Sequence, residues 1–506
     1  MLRFTLLTAV VLLLVAPGSA QAIGLDPGFG SQGRVTTEFA GEQAEGSAIA
    51  VDPDGKLVVA GHVSETRFAV ARYLPSGKLD PTFDGDGRAT VEFPGLSARA
   101  TAVAVRSDRR VVLAGSARVP GEEGAQIAVA QLTSDGVRDT GFSGDGRVLT
   151  AIGGNAGAYD VALQADGKVV VTGYGEIAKE GFADEVLPVV RYTDAGAPDG
   201  TFDGDGIAVA DLPGSSARGE AVALRDGGRI VVAGQDNGSG LSFLLAGFTS
   251  TGGPDTALGA PGYRTYDVGS GESYARGLVV RQDGSLVLAG GARDEAGRAG
   301  FGLLKTDGAG TPDAGFSGDG RTVVAFGTLS AYPGDIVDAG PQGVVVAGSA
   351  GPASGDTSSF ALARVRPDGT PDPGFDGDGR LTTAFGTRAA DAYDIARQPD
   401  DKLVVAGAVV DHTTFAVDFA VARYTEDGAL VRGGELLIRR GTASNRVTVA
   451  PAAGGGLQVR DTGAPLSAGP GCTRVSASEA TCTGATSVRA ELGAGGDTIA
   501  LDPALT

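Results

Sequence analysis

Six aspartates in three short turns hold the most explicit chemistry in this chain: Asp84-Gly85-Asp86-Gly87, Asp203-Gly204-Asp205-Gly206 and Asp376-Gly377-Asp378-Gly379. Carboxylates two positions apart across a glycine can converge on a hard cation, with turn carbonyls adding further oxygens. Asp84, Asp86, Asp203, Asp205, Asp376 and Asp378 are therefore the candidate calcium ligands, and calcium is the one cofactor in question. Ser143-Gly144-Asp145-Gly146 and Ser317-Gly318-Asp319-Gly320 are partial versions. The pattern lacks a third spaced carboxylate and a downstream bidentate Glu. Asp and Gly are also the residues that adopt left-handed and Asx turns, and turn geometry is the preferred reading.

The other reactive side chains are sparse. His62 and His412 are the two histidines, too few for a zinc site without a further acid in reach. No Gly-x-Ser-x-Gly elbow and no His-Glu-x-x-His accompanies them, so no catalytic residue is assigned and the enzyme reading is disfavoured. A triad assembled from distant loops would leave no local trace. The chain has no Trp, which weakens a carbohydrate platform, although Tyr159, Tyr192, Tyr266 and Tyr393 keep one open. Cys472 and Cys482 have no His or further Cys beside them; in an oxidising compartment they are expected to pair as a disulfide.

The elements that position these residues are written as a repeat. Leu25-Asp26-Pro27-Gly28-Phe29-Gly30 returns as Leu79-Asp80-Pro81-Thr82-Phe83-Asp84, and again from Asp139, Asp199, Asp255, Asp313 and Asp372. That makes seven copies with a period of about 58 residues, as in the longer propeller-blade repeats. Val58-Val59-Ala60-Gly61 keeps step with it, as does Phe68-Ala69-Val70-Ala71-Arg72-Tyr73. Apolar segments such as Ala48-Ile49-Ala50-Val51 precede Asp-Gly turns suited to hairpins. Each unit thus holds four short strands. Several are continuous apolar runs, which implies cover on both faces, as in stacked blades.

The expected fold is all-β: a seven-bladed β-propeller over residues 23–432 and a small β module over 433–506. The Ala/Val segment is the inner strand, Val-Val-Ala-Gly the second, Phe-Ala-Val-Ala-Arg-Tyr the third, and the segment after the Phe-Gly signature the outermost. The chain then opens with a lone outer strand at residues 34–39, while the seventh unit ends at Tyr424 without one. The first strand can complete the last blade and close the ring; an open solenoid of stacked sheets is the alternative. Arg72, Arg191, Arg364 and Arg423 on the third strand are expected to pair with Asp80, Asp199, Asp372 and their like. Gln131, Gly247 and Lys305 stand in the matching places elsewhere. Phe83, Phe142, Phe202, Phe316 and Phe375 are expected in blade packing.

These linked motifs, Leu-Asp-x-x-Phe-Gly, Asp-Gly-Lys, Val-Val-Ala-Gly and Phe-Ala-Val-Ala-Arg-Tyr, resemble the delta-60 repeat family of bacterial exported proteins over residues 25–424. The resemblance implies a propeller and no particular activity. The fifth copy departs most, with Leu258 for the Phe. The tail resembles the segment preceding haemolysin-type calcium-binding repeats, and its Gly493-Ala494-Gly495-Gly496-Asp497-Thr498-Ile499 fits one turn of the G-x-G-x-D-x-U pattern. One turn of that pattern cannot build a stacked calcium roll.

Residues 1–22 read as a signal peptide: Arg3, then an apolar stretch over 4–16, then Ala20-Gln21-Ala22 as a small-residue cleavage site. No Cys follows for lipidation and no later run is long enough to span a bilayer, so a secreted or cell-surface monomer is expected. A net charge of −20 disfavours nucleic acid. Three functions remain. The first is an exported binding or structural module meeting a protein or glycan at its loops; the others are a calcium-dependent adhesion protein and a propeller hydrolase or lyase.

Overall fold

The computed structural model describes residues 23–505 except 123, 180–181, 211, 213, 239, 354–356, 427, 433–434, 441–445, 454, 463–465, 467–470, 477 and 493–497. The expected leader lies outside the described residues, as does residues 493–497 of the tail motif.

The repeat region forms antiparallel sheets with the expected strand order. In the first sheet, Ala44–Val51, Leu57–Val63, Arg67–Tyr73 and Arg88–Val91 lie side by side. Five more four-stranded sheets follow, with inner strands Ser97–Val105, Ala156–Leu163, Ala217–Arg225, Tyr274–Val280 and Ser330–Asp338. The last sheet takes Ala389–Arg397, Leu403–Val410 and Val417–Glu426 from one part of the chain and Arg34–Thr37 from the other. Arg34 lies opposite Ala422 and Thr37 opposite Phe419. Ile23–Leu25 also joins this sheet, opposite Tyr424 to Glu426. That pairing was not foreseen, because three residues carry no strand periodicity.

Each second strand carries a run of consecutive apolar residues because it is covered on both faces. Leu57 and Val59 pack with Val404 and Val421 of the last sheet, whereas Val58 and Ala60 pack with Leu113 and Ala128 of the second. Every CH2-sized piece of surface buried this way contributes about 0.8 kcal/mol, which favours stacking over isolated sheets.

A repeated polar clasp holds neighbouring sheets in step. Arg72 Nε donates to Asp80 Oδ2 at 2.8 Å, its guanidinium stacks 4.6 Å from the Phe83 ring centre, and its Nη1 reaches the Ser134 carbonyl in the next unit. Arg191 repeats this with Asp199, Phe202 and Ser250. Arg423 repeats it with Asp26, Phe29 and Pro75, across the two ends of the repeat region. Where the arginine is missing, Gln131 donates to Asp139 and Lys305 pairs with Asp313. In the fourth sheet Gly247 leaves room that Leu258 fills, and Arg229 approaches Asp255 from the neighbouring strand.

After Glu426 the chain forms two smaller sheets in which Glu435–Arg440 runs parallel to Ser487–Leu492, and Arg446–Pro451 parallel to Thr498–Leu501. Leu436, Ile438, Val447, Val449 and Val459 make their core. A disulfide joins Cys472 and Cys482 on adjacent antiparallel strands. Among the described residues no helix is long and apolar enough to cross a membrane.

Candidate functional site between the inner strands

Every inner strand of the repeat carries one extra residue opposite the second strand. The irregularity falls at Ser47, Thr101, Tyr159, Glu220, Arg276, Gly334 and Tyr393 in successive sheets. Such a bulge bends the strand and re-aims a side chain. Its cause is legible in the glycine ending Val-Val-Ala-Gly. A Cβ on Gly61 would collide with the Glu45 carbonyl, and its six counterparts, from Gly115 to Gly407, meet the equivalent carbonyls of Arg99, Gly157, Arg218, Tyr274, Tyr332 and Asp391. The glycine lets the bulged backbone approach.

The bulged residues and those around them line a cavity of about 300 Å³. Glu45, Tyr159, Arg218, Glu220, Arg276 and Tyr393 are its functional side chains. Arg218 Nε lies 3.1 Å from Glu220 Oε1, and its guanidinium sits 5.9 Å from the Tyr159 ring centre. Burial raises the Glu220 carboxyl against the pull of Arg276 and Arg218. Glu45 is likewise raised by burial, although the Tyr393 hydroxyl donates to it. Arg276 is exposed and has no hydrogen bond or ion pair among the described residues; its ring contact is Tyr274, at 5.7 Å.

Three aspartates, each one position past a bulge, sit beneath. Asp160 accepts the Val222 N–H of the next sheet and the Val161 N–H, both at 2.7 Å. Burial nonetheless pushes its carboxyl up to about 7. Asp394 accepts from Ile49 and Ile395 at 2.6 Å each. Asp335 is raised well above the carboxylate range, by burial first and then by the Asp394 charge, and it holds a proton that it donates to Asp394. The arrangement offers acidic hydrogen bonds, a free guanidinium and aromatic faces in one hollow.

None of these residues except Tyr159 and Tyr393 was singled out from the sequence. Their signal was a polar residue where other units carry a small one: Asp160, Asp335 and Asp394 replace Ala48, Ala102, Ala221 and Gly277. Of the other tyrosines proposed as a platform, Tyr192 and Tyr266 lie in sheet cores, where Tyr192 shares a hydrogen bond with the Thr150 hydroxyl and Tyr266 donates to the Gly310 carbonyl. His62 is buried opposite Glu45, and burial and Arg99 hold its imidazole down at about 4. His412 lies in the exposed turn after Leu403–Val410, and no hydrogen bond joins the two among the described residues.

The acidic turns lie elsewhere, at the outer end of each sheet. Asp84, Asp203 and Asp376 take φ values of 49°, 49° and 52°, the left-handed geometry that turn residues tolerate. Asp86, Asp205 and Asp378 each accept the N–H two residues on, from Arg88, Ile207 and Arg380 at 2.8 to 3.0 Å. The Asp84 N–H donates to Asp135 and that of Asp203 to Thr251, which docks each turn on the following unit. Burial and the neighbouring Asp86 raise the Asp84 carboxyl. Among the described residues no three His, Cys, Asp or Glu side chains are grouped to hold a metal. A larger groove of about 590 Å³ between the second and third sheets pairs Arg99 with Glu65 and hydrogen-bonds Asn155 to Glu176, with Arg118 also on its lining. The inner cavity is the stronger site because it gathers residues from all seven inner strands around buried carboxyls whose proton affinity is raised.

Residues 53–83, 106–142, 344–375 and 398–430 match a domain of unknown function described as the DUF5122 β-propeller. The fold is a β-propeller. Among solved structures, the propeller is similar to a catalytically inactive virginiamycin B lyase from Staphylococcus aureus with quinupristin, at 11% identity over 77% of this chain and 98% of that one (TM-score 0.43). It is also similar to a protein of unknown function from Dyadobacter fermentans, at 11% identity over 79% and 100% (TM-score 0.39). An arabinanase from Bacillus subtilis matches at 10% identity over 64% and 92% (TM-score 0.30). These likenesses concern the fold alone. No curated protein matches the sequence.

Proposed function

We propose that this chain is an exported binding module: a seven-bladed propeller, closed by its N-terminal strand, that seats a small polar ligand such as a glycan unit in the cavity between its inner strands. The observation that carries the reading is where repetition fails. The clasp, the packing phenylalanines and the bulge glycine recur because every blade needs them. Tyr159, Glu220, Arg276 and Tyr393 occupy one repeated backbone position with three chemistries, while Ser47, Thr101 and Gly334 leave the rest of the ring open. Fold maintenance calls for no such variety at one site. A small cavity with a few convergent polar groups is the usual form of a ligand site.

The test is binding of mono- and oligosaccharides followed by nuclear magnetic resonance, with Tyr393→Ala and Glu220→Gln variants that retain the wild-type melting temperature. Saturable binding that both variants weaken supports the reading; binding indifferent to both places the ligand elsewhere. A second reading, a hydrolase or lyase, is favoured by the Asp335–Asp394 pair, two buried carboxyls in hydrogen-bond contact whose proton affinity burial raises, as a group acting in acid–base catalysis requires. Turnover of a glycoside that Asp335→Asn abolishes would establish it.

A further inference from the structure

We propose that the ligand of this cavity carries a carboxylate, as a uronic-acid unit of a glycan does, and that Arg276 is the residue that binds it; this rests on the cavity being the ligand site. The charges facing Arg276 are already committed. Glu220 feels the charges of both Arg276 and Arg218 but among the described residues is in ion-pair contact with Arg218 alone, at 3.1 Å, and Arg218 also lies 3.9 Å from Glu185. Glu45 on the opposite wall accepts from Tyr393. Below, Asp394 is occupied by two backbone N–H groups and by the Asp335 proton, and Asp160 by two N–H groups.

Arg276 is therefore left as a charge on an exposed side chain at a concave polar surface, steadied by the Tyr274 ring at 5.7 Å. Its planar fork of donors suits two carboxylate oxygens at once, which a hydroxyl cannot use. The remaining wall suits a sugar ring. Tyr393 and Tyr159, the latter also against Tyr174 at 5.4 Å, add aromatic surface to the lining, and the carboxyls of Glu45 and Glu220 can accept from or donate to hydroxyls. A cavity of about 300 Å³ is at the small end for ligand sites, which favours a short unit over a long polymer. A chain of net charge −20 repels a single carboxylate far less than a dense polyanion, and the local attraction of a guanidinium opposes that repulsion.

The experiment is titration of the full chain, at low ionic strength, with galacturonic acid, digalacturonic acid, galactose and galactosamine, for wild type, Arg276→Gln and Arg276→Lys. The expected result is uronate binding about tenfold tighter than galactose. Arg276→Gln is expected to abolish that preference, so that uronate and galactose bind the variant equally, and Arg276→Lys to keep part of it. Galactose or galactosamine binding as tightly as the uronates overturns the inference and leaves the cavity reading standing. So does a preference that survives Arg276→Gln. No binding of any of the four at millimolar concentration overturns both.

Discussion

Asp394, in the last sheet of the repeat, accepts the backbone N–H of Ile49, in the first, at 2.6 Å. The same carboxyl takes the proton of Asp335 from the preceding sheet, so one side chain joins three inner strands. Asp160 makes the equivalent link to Val222. These acids are both a floor for the cavity and a tie between blades, which couples the site's protonation to stability.

Stability is expected to fall as pH rises from about 4 to about 7. Asp160 is raised by burial from 3.8 to about 7 in the folded protein, so over that interval the native state binds a proton that the unfolded chain has released. Asp335 and Asp394 act in the same direction. Chemical denaturation at pH 4.5 and 7.5 measures the slope. Asp160→Asn cannot ionise and is expected to flatten the slope between the two pH values, while losing the acceptor for one of the two N–H groups lowers stability equally at both. An unaltered slope would remove Asp160 from the account.

Below pH 4 the sign reverses. At Asp199 hydrogen bonds from Thr201 and the Arg191 charge outweigh burial and hold the carboxyl at about 2. Its contribution is complete above the unfolded value and is lost as pH falls towards 2. Arg191→Met, which leaves Asp199 buried without its partner, is expected to cost about 3 kcal/mol at neutral pH and less at pH 2. Arg191→Gln is expected to be rescued in part by Gln164→Arg, because in the second sheet Gln131 reaches Asp139 while Arg106 supports it at 2.7 Å.

Gly234→Ala places a methyl group against the Arg218 carbonyl and cannot coexist with the bulge at Glu220. A loss of about 3 kcal/mol in denaturant midpoint experiments is expected, with weaker ligand binding. Gly204→Ala has no atom in the way but requires φ of 91°, and is expected to cost about 1 kcal/mol.

Asp26 and Arg423 pair at 2.9 Å from opposite ends of the repeat region. A double-mutant cycle with Asp26→Asn and Arg423→Met is expected to show a coupling above about 1 kcal/mol. Near-additive losses would argue that the ends are joined by strand pairing alone.

Melting temperature is expected to be the same in chelator and in millimolar calcium. The Oδ1 atoms of Asp86, Asp205 and Asp378 already cap backbone N–H groups two residues on. A calcium-dependent rise of several degrees would show that these turns rearrange around an ion.

Much of the architecture was legible because it is periodic. Val58 and Val59 announced a strand covered on both faces, Arg72 and Asp80 a recurrent pair, and the unpartnered strand at Arg34 its place beside Val417–Glu426. The cavity was not legible, because its residues differ from sheet to sheet. Asp160 and Glu220 sit within Ala/Val segments that read as plain inner strands, and the glycine that marks the bulge read as strand punctuation.

By itself, then, the amino-acid order determined the elements, their order within each sheet and the contacts every unit repeats, since these depend on local periodicity and on neighbours a few residues away. Which side chains share a site was decided only by the tertiary structure. Glu45, Glu220, Arg276 and Tyr393 come from four units, and no local pattern brings them together. The shared geometry of their bulged strands places them around one hollow.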